Sequence, residues 1–574
     1  MSPRISGSPP GGYLPARPDG HLAGEPGHVS GHPAEIPLER LERYRPIIPD
    51  FETFLEANLA PEPINLRVRT GLTTPEALDA ALTAQGFELA PVPGLPTLRK
   101  VVGGPHSVAQ TLEHWLGHLH VQQAVMALPS LALAPRPGER VLDLCAAPGG
   151  KTSHMAELME DQGCLVAVDP KEKRLRGLMA NLFRLGHTGI LVVASDGREL
   201  PGGALFDRVL VDAPCSAEGN FRRTRGRLPK RDAKFVHYVT GLQETLLRRA
   251  IALTRPGGTL VYSTCTWAPE ENEAVISRVL EDAPVEVEAI PLNLPHAPGI
   301  RAWNGERYAD DLEKAWRLYP QHLDSGGAFM VRLRRLDDEG GAGEADDAGR
   351  PARDPDTNAR AEGDAKGDPD ADAGADAISG WSPIPVAFPG EDAAPAQARI
   401  QAATDFLRDG FGMDPAVLDR LGWMARAENL WVQTAGEWPL EGWGYEGRRS
   451  TPRPSSGGWR VVSLGLRAFR EASGGHETPS TVFLTRFADA LGPARRVEVS
   501  DDELRRLLNR ERIVRPDAPL GPVAVAWRGR VLGRGMSGRP GLELQVPRSQ
   551  ASRLAALLEG PIGTPPTGDR RPGN

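Results

Sequence analysis

The chain has 574 residues, enough for several folded units, and its 64 glycines and 54 prolines make up about a fifth of it, which implies long irregular stretches without reaching the composition of a wholly disordered chain. A formal net charge of −8 argues against a protein whose main role is to coat nucleic acid, and four cysteines without a Cys-x-x-Cys pair exclude a disulfide framework or a zinc ribbon. No apolar run reaches the ~18 residues of a membrane span and the N-terminus lacks a signal-peptide core, so a soluble, cytoplasmic protein in a reducing compartment is expected.

Residues 1–36, rich in Gly, Pro, Ser and His, read as a disordered tail in which His21, His28 and His32 are solvated. Order begins with the apolar pattern Leu38, Leu41, Ile47, Ile48, Phe51, Phe54, Leu55 and Leu59, suited to one or two helices. A β-α-β unit follows: a strand over 64–70, a helix capped by Thr74 with Pro75 at its first position and ended by Gly86, and extended chain over 87–92. Together these make a small α+β N-terminal domain, residues 37–105, expected to touch RNA. His114, His118 and His120 read as ordinary surface histidines of a helix and not as metal ligands.

Within 106–336 strands and helices alternate. Candidate strands at 140–144, 165–169, 190–194, 206–212 and 259–264 are apolar at nearly every position, as strands buried on both faces must be, and a further one at 328–333 is placed at an edge. This predicts an α/β, doubly wound parallel sheet with its ligands at the carboxyl ends of the strands. Residues 337–376 contain no Val, Ile, Leu, Met, Phe, Trp or Tyr and carry 14 acidic against 4 basic side chains, so they read as a disordered acidic linker. That segment alone is net −10, which leaves the rest of the chain at +2. Residues 377–560 regain apolar and aromatic side chains and read as a helical part followed by a β-rich part with strands over 523–532 and 542–546; the linker would let this region act as a tethered RNA clamp. Residues 561–574 read as a second tail.

The densest chemical signal is VLDLCAAPGGKT, Val141 to Thr152, a strand entering a Gly-rich turn and then a helix, where backbone N–H groups can approach a ligand. A triphosphate-binding loop would need glycine five positions before Gly150, where Cys145 stands, and no G-x-G-x-x-G is present. A nucleotide-like ligand without a triphosphate remains. Asp169 ends the next strand, where a carboxylate can bind ribose hydroxyls, and Asp196 follows the third, where one can meet an adenine amino group; S-adenosylmethionine fits best.

VDAPCSAEGN and YSTCTWAPEENE each place a cysteine just beyond a buried strand at the same edge of the sheet. Carbon 5 of a pyrimidine is a poor nucleophile until a thiolate adds at carbon 6. Such a reaction needs an attacking thiolate, a group near ring nitrogen 3 and a base for the carbon 5 proton; Cys265, Asp212 and Cys215 are of the right types.

With CAAPGGKT, AVDPKEKRLRGLMANLFRLG, DGREL, VDAPCSAEG and YSTCTWAPEENE, the sequence resembles the Nol1/Nop2/Sun family of RNA 5-cytosine methyltransferases, over essentially all of 140–336. The resemblance implies a Rossmann-like methyltransferase sheet, S-adenosyl-L-methionine as cofactor, no metal, Cys265 as nucleophile, Cys215 assisting product release and Asp212 in the catalytic group. It carries cofactor contacts to Cys145, Ala146, Ala147, Pro148, Gly149, Gly150, Lys151, Asp169, Asp196 and Asp212. The family's Arg-Val-Asn element is here Arg67-Val68-Arg69, and its Gln-Glu-Ala-Ser-Ser element is Gln122-Gln123-Ala124-Val125-Met126.

The segment FRRTRGRLPKRDAK, Phe221 to Lys234, holds seven Lys/Arg against one Asp beside the Pro-Cys motif, so Arg222, Arg223, Arg225, Arg227, Lys230 and Arg231 are expected RNA contacts. The C-terminal segments SLGLRAFREASGGHETPSTVFLTRFADALG, VEVSDDELRRLLNRERI and VAVAWRGRVLGRG resemble the PUA-like RNA-binding extension of RsmF-type ribosomal RNA enzymes. The expected substrate is small-subunit (16S) ribosomal RNA, with transfer RNA, or a non-catalytic role in ribosome assembly, as alternatives, and the expected state is a monomer.

Overall fold

Five strands whose residues are apolar on both sides can be satisfied only in the middle of a sheet covered on both faces. The computed structural model describes residues 39–337 apart from 203–204 and 227–230, then 381–439, 460–471, 477–546, and residues 551, 554, 555 and 558. It places those strands side by side: β1 (Arg140–Asp143), β2 (Cys164–Val168), β3 (Ile190–Ala194), β4 (Phe206–Asp212) and β5 (Thr254–Thr264). Two antiparallel partners follow in the chain, β6 (Trp316–Leu318) and β7 (Ala328–Arg335), and a last strand, β8 (Arg460–Leu464), comes from far downstream. The spatial order is β6-β7-β5-β4-β1-β2-β3-β8, with β1 to β5 mutually parallel. Strand order reverses about β1, so the crevice that receives ligands opens at the carboxyl ends of β1 and β4.

Helices cover both faces. Val141, Leu165, Val192, Leu210 and Val261 pack with α1 (Ala124–Leu133), α2 (Gly150–Leu158) and α3 (Glu172–Leu185). Their neighbours Leu142, Val166, Leu191, Val209 and Leu260 pack with α4 (Ala233–Leu253) and α5 (Glu273–Leu280). β7, expected at an edge, is interior: β5 pairs along one side of it, and β6 and Val285–Glu288 pair along the other.

Upstream, two helices, Glu39–Glu42 and Phe51–Leu59, precede a sheet in the order Glu88–Val92, Leu95–Gly103, Ile64–Val68, Leu119–Val121. Thr74 caps the helix Pro75–Thr83 by accepting from Ala77 N at 3.1 Å. The fourth strand lies beyond residue 105 and carries His120, which is buried. His118 sits in the turn before it and burial pushes its imidazole down to about 4. Both therefore leave the helix surface on which the sequence placed them.

The C-terminal region does not hang on a tether. β8 pairs antiparallel with β3 from Arg460 opposite Ala194 to Leu464 opposite Leu191, which closes an edge that would otherwise present unpaired backbone groups. Trp381, Phe388, Met424 and Trp438 join the apolar cluster under β4, with Trp381 edge-on to Phe206 at 5.3 Å. Arg140 forks onto Glu437 at 2.7 and 3.0 Å. The rest of the region forms a long helix, Ala393–Asp405, shorter ones at Pro415–Leu418, Thr481–Arg486 and Asp501–Leu508, and two four-stranded sheets, one of them Arg496–Val499, Gly521–Trp527, Arg530–Gly538 and Gly541–Leu544; the strand expected over 523–532 is a hairpin turning at Arg528 and Gly529. The tail 1–36, the acidic stretch beyond Asp337 and residues 561–574 lie outside the described residues.

Candidate active site

On the cofactor edge, β1 runs into the turn Leu144–Gly149 and α2 starts at Gly150. Gly149 has φ 98° and a Cβ there would meet Leu178 at 3.2 Å, so only glycine lets the turn lie so close to α3. Asp143 accepts from Thr152 Oγ1 at 2.7 Å, and burial raises its carboxyl to about 7. Arg174 donates to Ala147 O and Asn181 Nδ2 to Pro148 O at 3.0 Å, which fixes the turn's carbonyls away from the crevice.

Asp169, at the end of β2, is wholly buried. Its Oδ1 accepts from Lys171 N at 2.9 Å, whereas Oδ2 lies 2.9 Å from the Arg174 guanidinium without a hydrogen bond. Burial raises this carboxyl above its ordinary range. A buried carboxylate beside a Gly-rich turn, ion-paired on one oxygen with the half-exposed Arg174, has an oxygen that a vicinal diol can share, so the residues present fit the ribose of S-adenosylmethionine. Asp196 differs: Arg198 donates to it from N, Nε and Nη2 at 3.0, 3.0 and 2.7 Å, which holds its carboxyl below the usual range.

On the opposite edge, β4 ends at Asp212 and β5 at Thr264, three residues before Cys215 and one before Cys265. Cys215 Sγ and Cys265 Sγ lie 3.3 Å apart, and Asn220 Nδ2 donates to Cys265 Sγ at 3.5 Å. The thiol hydrogen bond from Cys215, the Lys151 ammonium and Asn220 together hold Cys265 below the ordinary thiol range against burial and Asp212, while Cys215 is pushed well above it, first by its bond to Cys265. The pair is therefore unequal: Cys265 is the cysteine that ionises more readily and Cys215 the one that keeps its proton longer. Asp212 is pinned by Lys151 Nζ at 2.7 Å and Ser263 Oγ at 2.9 Å; Lys151 also touches Met126 Sδ at 3.5 Å. Cys145 faces Asp143, Asp169 and Asp212, and burial raises its thiol well above 9.

Distant partners lock these turns. Ser216 N donates to Glu271 Oε2 at 2.9 Å, Ser216 Oγ pairs with Thr266 Oγ1 at 2.8 Å, and Gln243 Nε2 donates to Pro214 O at 2.8 Å. Tyr44, from the N-terminal helices, donates to Glu218 between the two motifs. Arg67, fully buried, reaches Gln122 Oε1 at 2.9 Å, Gly150 O at 3.0 Å and Ser153 Oγ at 2.9 Å, so the N-terminal sheet holds the start of α2 and with it Lys151. Asn220 and Ser263 escaped the sequence reading. Asn220 closes the quoted stretch VDAPCSAEGN and Ser263 precedes Thr-Cys, so proximity to the motifs was the available signal.

Of the six expected RNA contacts, Arg222 is a correction. It is buried and its guanidinium donates to Ala60 O, Pro61 O, Ser325 O and Asp324 Oδ1 at 2.8 to 3.2 Å, leaving no face for phosphate. Arg231 is largely consumed by Glu270 at 2.9 Å. Arg223 and Arg225 are exposed, and Arg227 and Lys230 lie outside the described residues. Among the described residues no group of three or more His, Cys, Asp or Glu is placed to hold a metal, and no helix is long and apolar enough to cross a membrane.

Residues 130–334 match a family profile described as "16S rRNA methyltransferase RsmB/F". The chain is 36% identical over 257 residues to a tRNA (cytosine(49)-C(5))-methyltransferase of Pyrococcus abyssi, covering 44% of this chain and 83% of that protein. It is 37% identical over 292 residues to the Homo sapiens 28S rRNA (cytosine(4447)-C(5))-methyltransferase, covering 49% of this chain and 36% of that one, so it spans about a third of the human relative's length. A methyltransferase homolog protein from Pyrococcus horikoshii, known as a crystal structure, is 34% identical with a TM-score of 0.47 over 52% of this chain and 97% of that one.

Proposed function

Because the chain belongs to the RsmB/F family of RNA cytosine-C5 methyltransferases, we propose that it methylates carbon 5 of a cytosine in 16S ribosomal RNA through a covalent adduct at carbon 6. The observation that carries the mechanism is the 3.3 Å approach of two cysteine sulfurs beside a pinned carboxylate. The target base leaves its stack and enters the crevice. Cys265 Sγ forms a bond to carbon 6, the carbon 5–carbon 6 π electrons shift to carbons 4 and 5, those of the carbon 4–N3 double bond move to N3, and N3 takes up a proton from water. Asp212, held by Lys151 and Ser263, accepts the hydrogen bond from that N3–H. S-adenosylmethionine, when bound, would supply an electrophilic methyl group for carbon 5; Asp169 would hold its ribose and the Cys145–Lys151 turn would line its site.

Resolution falls to Cys215. Its proton is held by the neighbouring Cys265 thiolate, and that charge is gone once Cys265 is bonded to carbon 6, so Cys215 then loses its proton more readily. With its own proton passed to water, the Cys215 thiolate removes the carbon 5 proton, the carbon 5–carbon 6 double bond re-forms, Cys265 leaves as a thiolate and N3 returns its proton to water. The N-terminal domain and the PUA-like C-terminal region hold RNA around the crevice, and the enzyme acts as a cytoplasmic monomer.

The Pyrococcus abyssi relative, covered over 83% of its length, favours transfer RNA as the second reading. Mapping 5-methylcytosine in ribosomal and transfer RNA from cells with and without the gene separates them: one small-subunit cytosine should lose its methyl group, and an unchanged map would end the proposal. Cys215→Ala should leave a protein–RNA adduct on a denaturing gel; no adduct removes the role given to Cys215.

A further inference from the structure

The strands Asn429–Gln433 and Leu466–Glu471 pair antiparallel with a bulge. Leu430 opposes Phe469 and Trp431 opposes Arg467, so Ala468 is the extra residue. Arg470 opposes Asn429. Positions 429 and 431 share one face of a strand, so the bulge turns Arg467 and Arg470, three apart, onto the same side. Both are exposed. Arg534, on Arg530–Gly538, reaches the same place: its Nη1 donates to Pro479 O at 3.1 Å, next to Ser480, whose Oγ donates to Arg467 O at 2.6 Å.

The nearby acids are engaged elsewhere. Arg399 takes Glu477 at 2.6 Å and lies 3.9 Å from Glu471. Among the described residues Glu428 approaches the group, 3.8 Å from Arg470. Arg467 has no hydrogen bond or ion pair from its side chain to the described residues, and Arg534 Nε is buried without an acceptor. Arg467 and Arg534 are both held below the usual guanidinium range, by partial burial and then by the neighbouring arginines.

We propose that Arg467, Arg470 and Arg534 form a second RNA contact that grips backbone phosphates outside the catalytic crevice. Three guanidinium groups share one small area with Glu428 the acid at its rim among the described residues, and an RNA strand is the partner that supplies closely spaced anions. The contact rests on the RNA substrate proposed above. It reads charge and not sequence, so its place is to hold the body of the substrate while the crevice takes the base.

The test is an anisotropy titration of the full chain with a labelled small-subunit ribosomal RNA fragment between 50 and 200 mM salt, on the order of the range where counterion release is steep. Arg467→Gln with Arg470→Gln, both exposed, should weaken binding about tenfold at the lower salt and lower the slope of log affinity against log salt by roughly 1.4 to 1.8, while S-adenosylmethionine affinity stays put. Arg534→Lys should retain most of the affinity. An unchanged slope in the double variant overturns the contact. So does tighter RNA binding, which would assign the arginines to the chain's own acidic 337–376 segment. Wild type that binds RNA but methylates none fails the proposed reaction and leaves this measurement intact.

Discussion

The two edges of the crevice are built on opposite principles. At the carboxyl ends of β4 and β5 every reacting group already has its partner: Asp212 has Lys151 and Ser263, Cys265 has Cys215 and Asn220, and the turns are tied to Glu271, Gln243 and Thr266. At the ends of β1 and β2, Asp143 and Asp169 are buried carboxyls raised above their ordinary range, Asp143 Oδ1 without a hydrogen bond and Asp169 Oδ2 held only by its ion pair with the half-exposed Arg174. The contrast matches what each edge has to do. Bond-making is faster when dipoles are fixed before the substrate arrives, whereas a binding edge gains affinity from acceptors that only the ligand satisfies.

Substitutions should act on one edge at a time. The largest effect belongs to Cys265→Ala, which should cut methylation by at least about 10⁴-fold while S-adenosylmethionine affinity, read by calorimetry, moves little; full activity would erase the division between the edges. Next, Asp169→Asn should weaken S-adenosylmethionine about 10- to 100-fold, the range of a charge-assisted hydrogen bond, and leave RNA affinity alone. Equal losses for both ligands would break the comparison.

Asn220→Ala sharpens it by a smaller amount. Cys265 must be ionised to attack and lies below the ordinary thiol range, so the rate rises with pH through its ionisation. Removing one donor should move that rise to higher pH by about half a unit to one unit without lowering the plateau, since a one-unit shift is worth ~1.4 kcal/mol. A lowered plateau with an unmoved limb would make Asn220 a mere packing residue. The last effect is on stability and not on either ligand. Asp143 is raised to about 7 in the fold against an unfolded value near 4, so its contribution to stability is fully present below about 4 and falls as pH rises to about 7. Asp143→Asn, which can still accept from Thr152, should flatten that slope in denaturant titrations at pH 5 and pH 8; an unchanged slope would place the proton elsewhere.

The parallel strands were legible because burial on both faces forces apolar side chains at nearly every position, and Ile190–Ala194 and Phe206–Asp212 begin and end where that pattern does. Charge was read less well. The count of seven basic residues over 221–234 is correct, but Arg222 spends its guanidinium on carbonyls of Ala60, Pro61 and Ser325, over 100 residues away in either direction. No local pattern encodes such a partner. The tether failed for a similar reason: β8 is a short, ordinary strand by composition, and only the unpaired edge of β3 gives it a place.

The sequence by itself determined the α/β alternation, the Gly-rich turn, the acids after β2 and β3 and the two cysteine motifs, since each is a local demand of backbone geometry or reaction chemistry on residue type. The tertiary structure alone decided which cysteine ionises more readily, which acids are buried and raised, and which arginines stay exposed. Those properties depend on what faces a side chain across the fold, and desolvation and hydrogen bonding from distant segments set them.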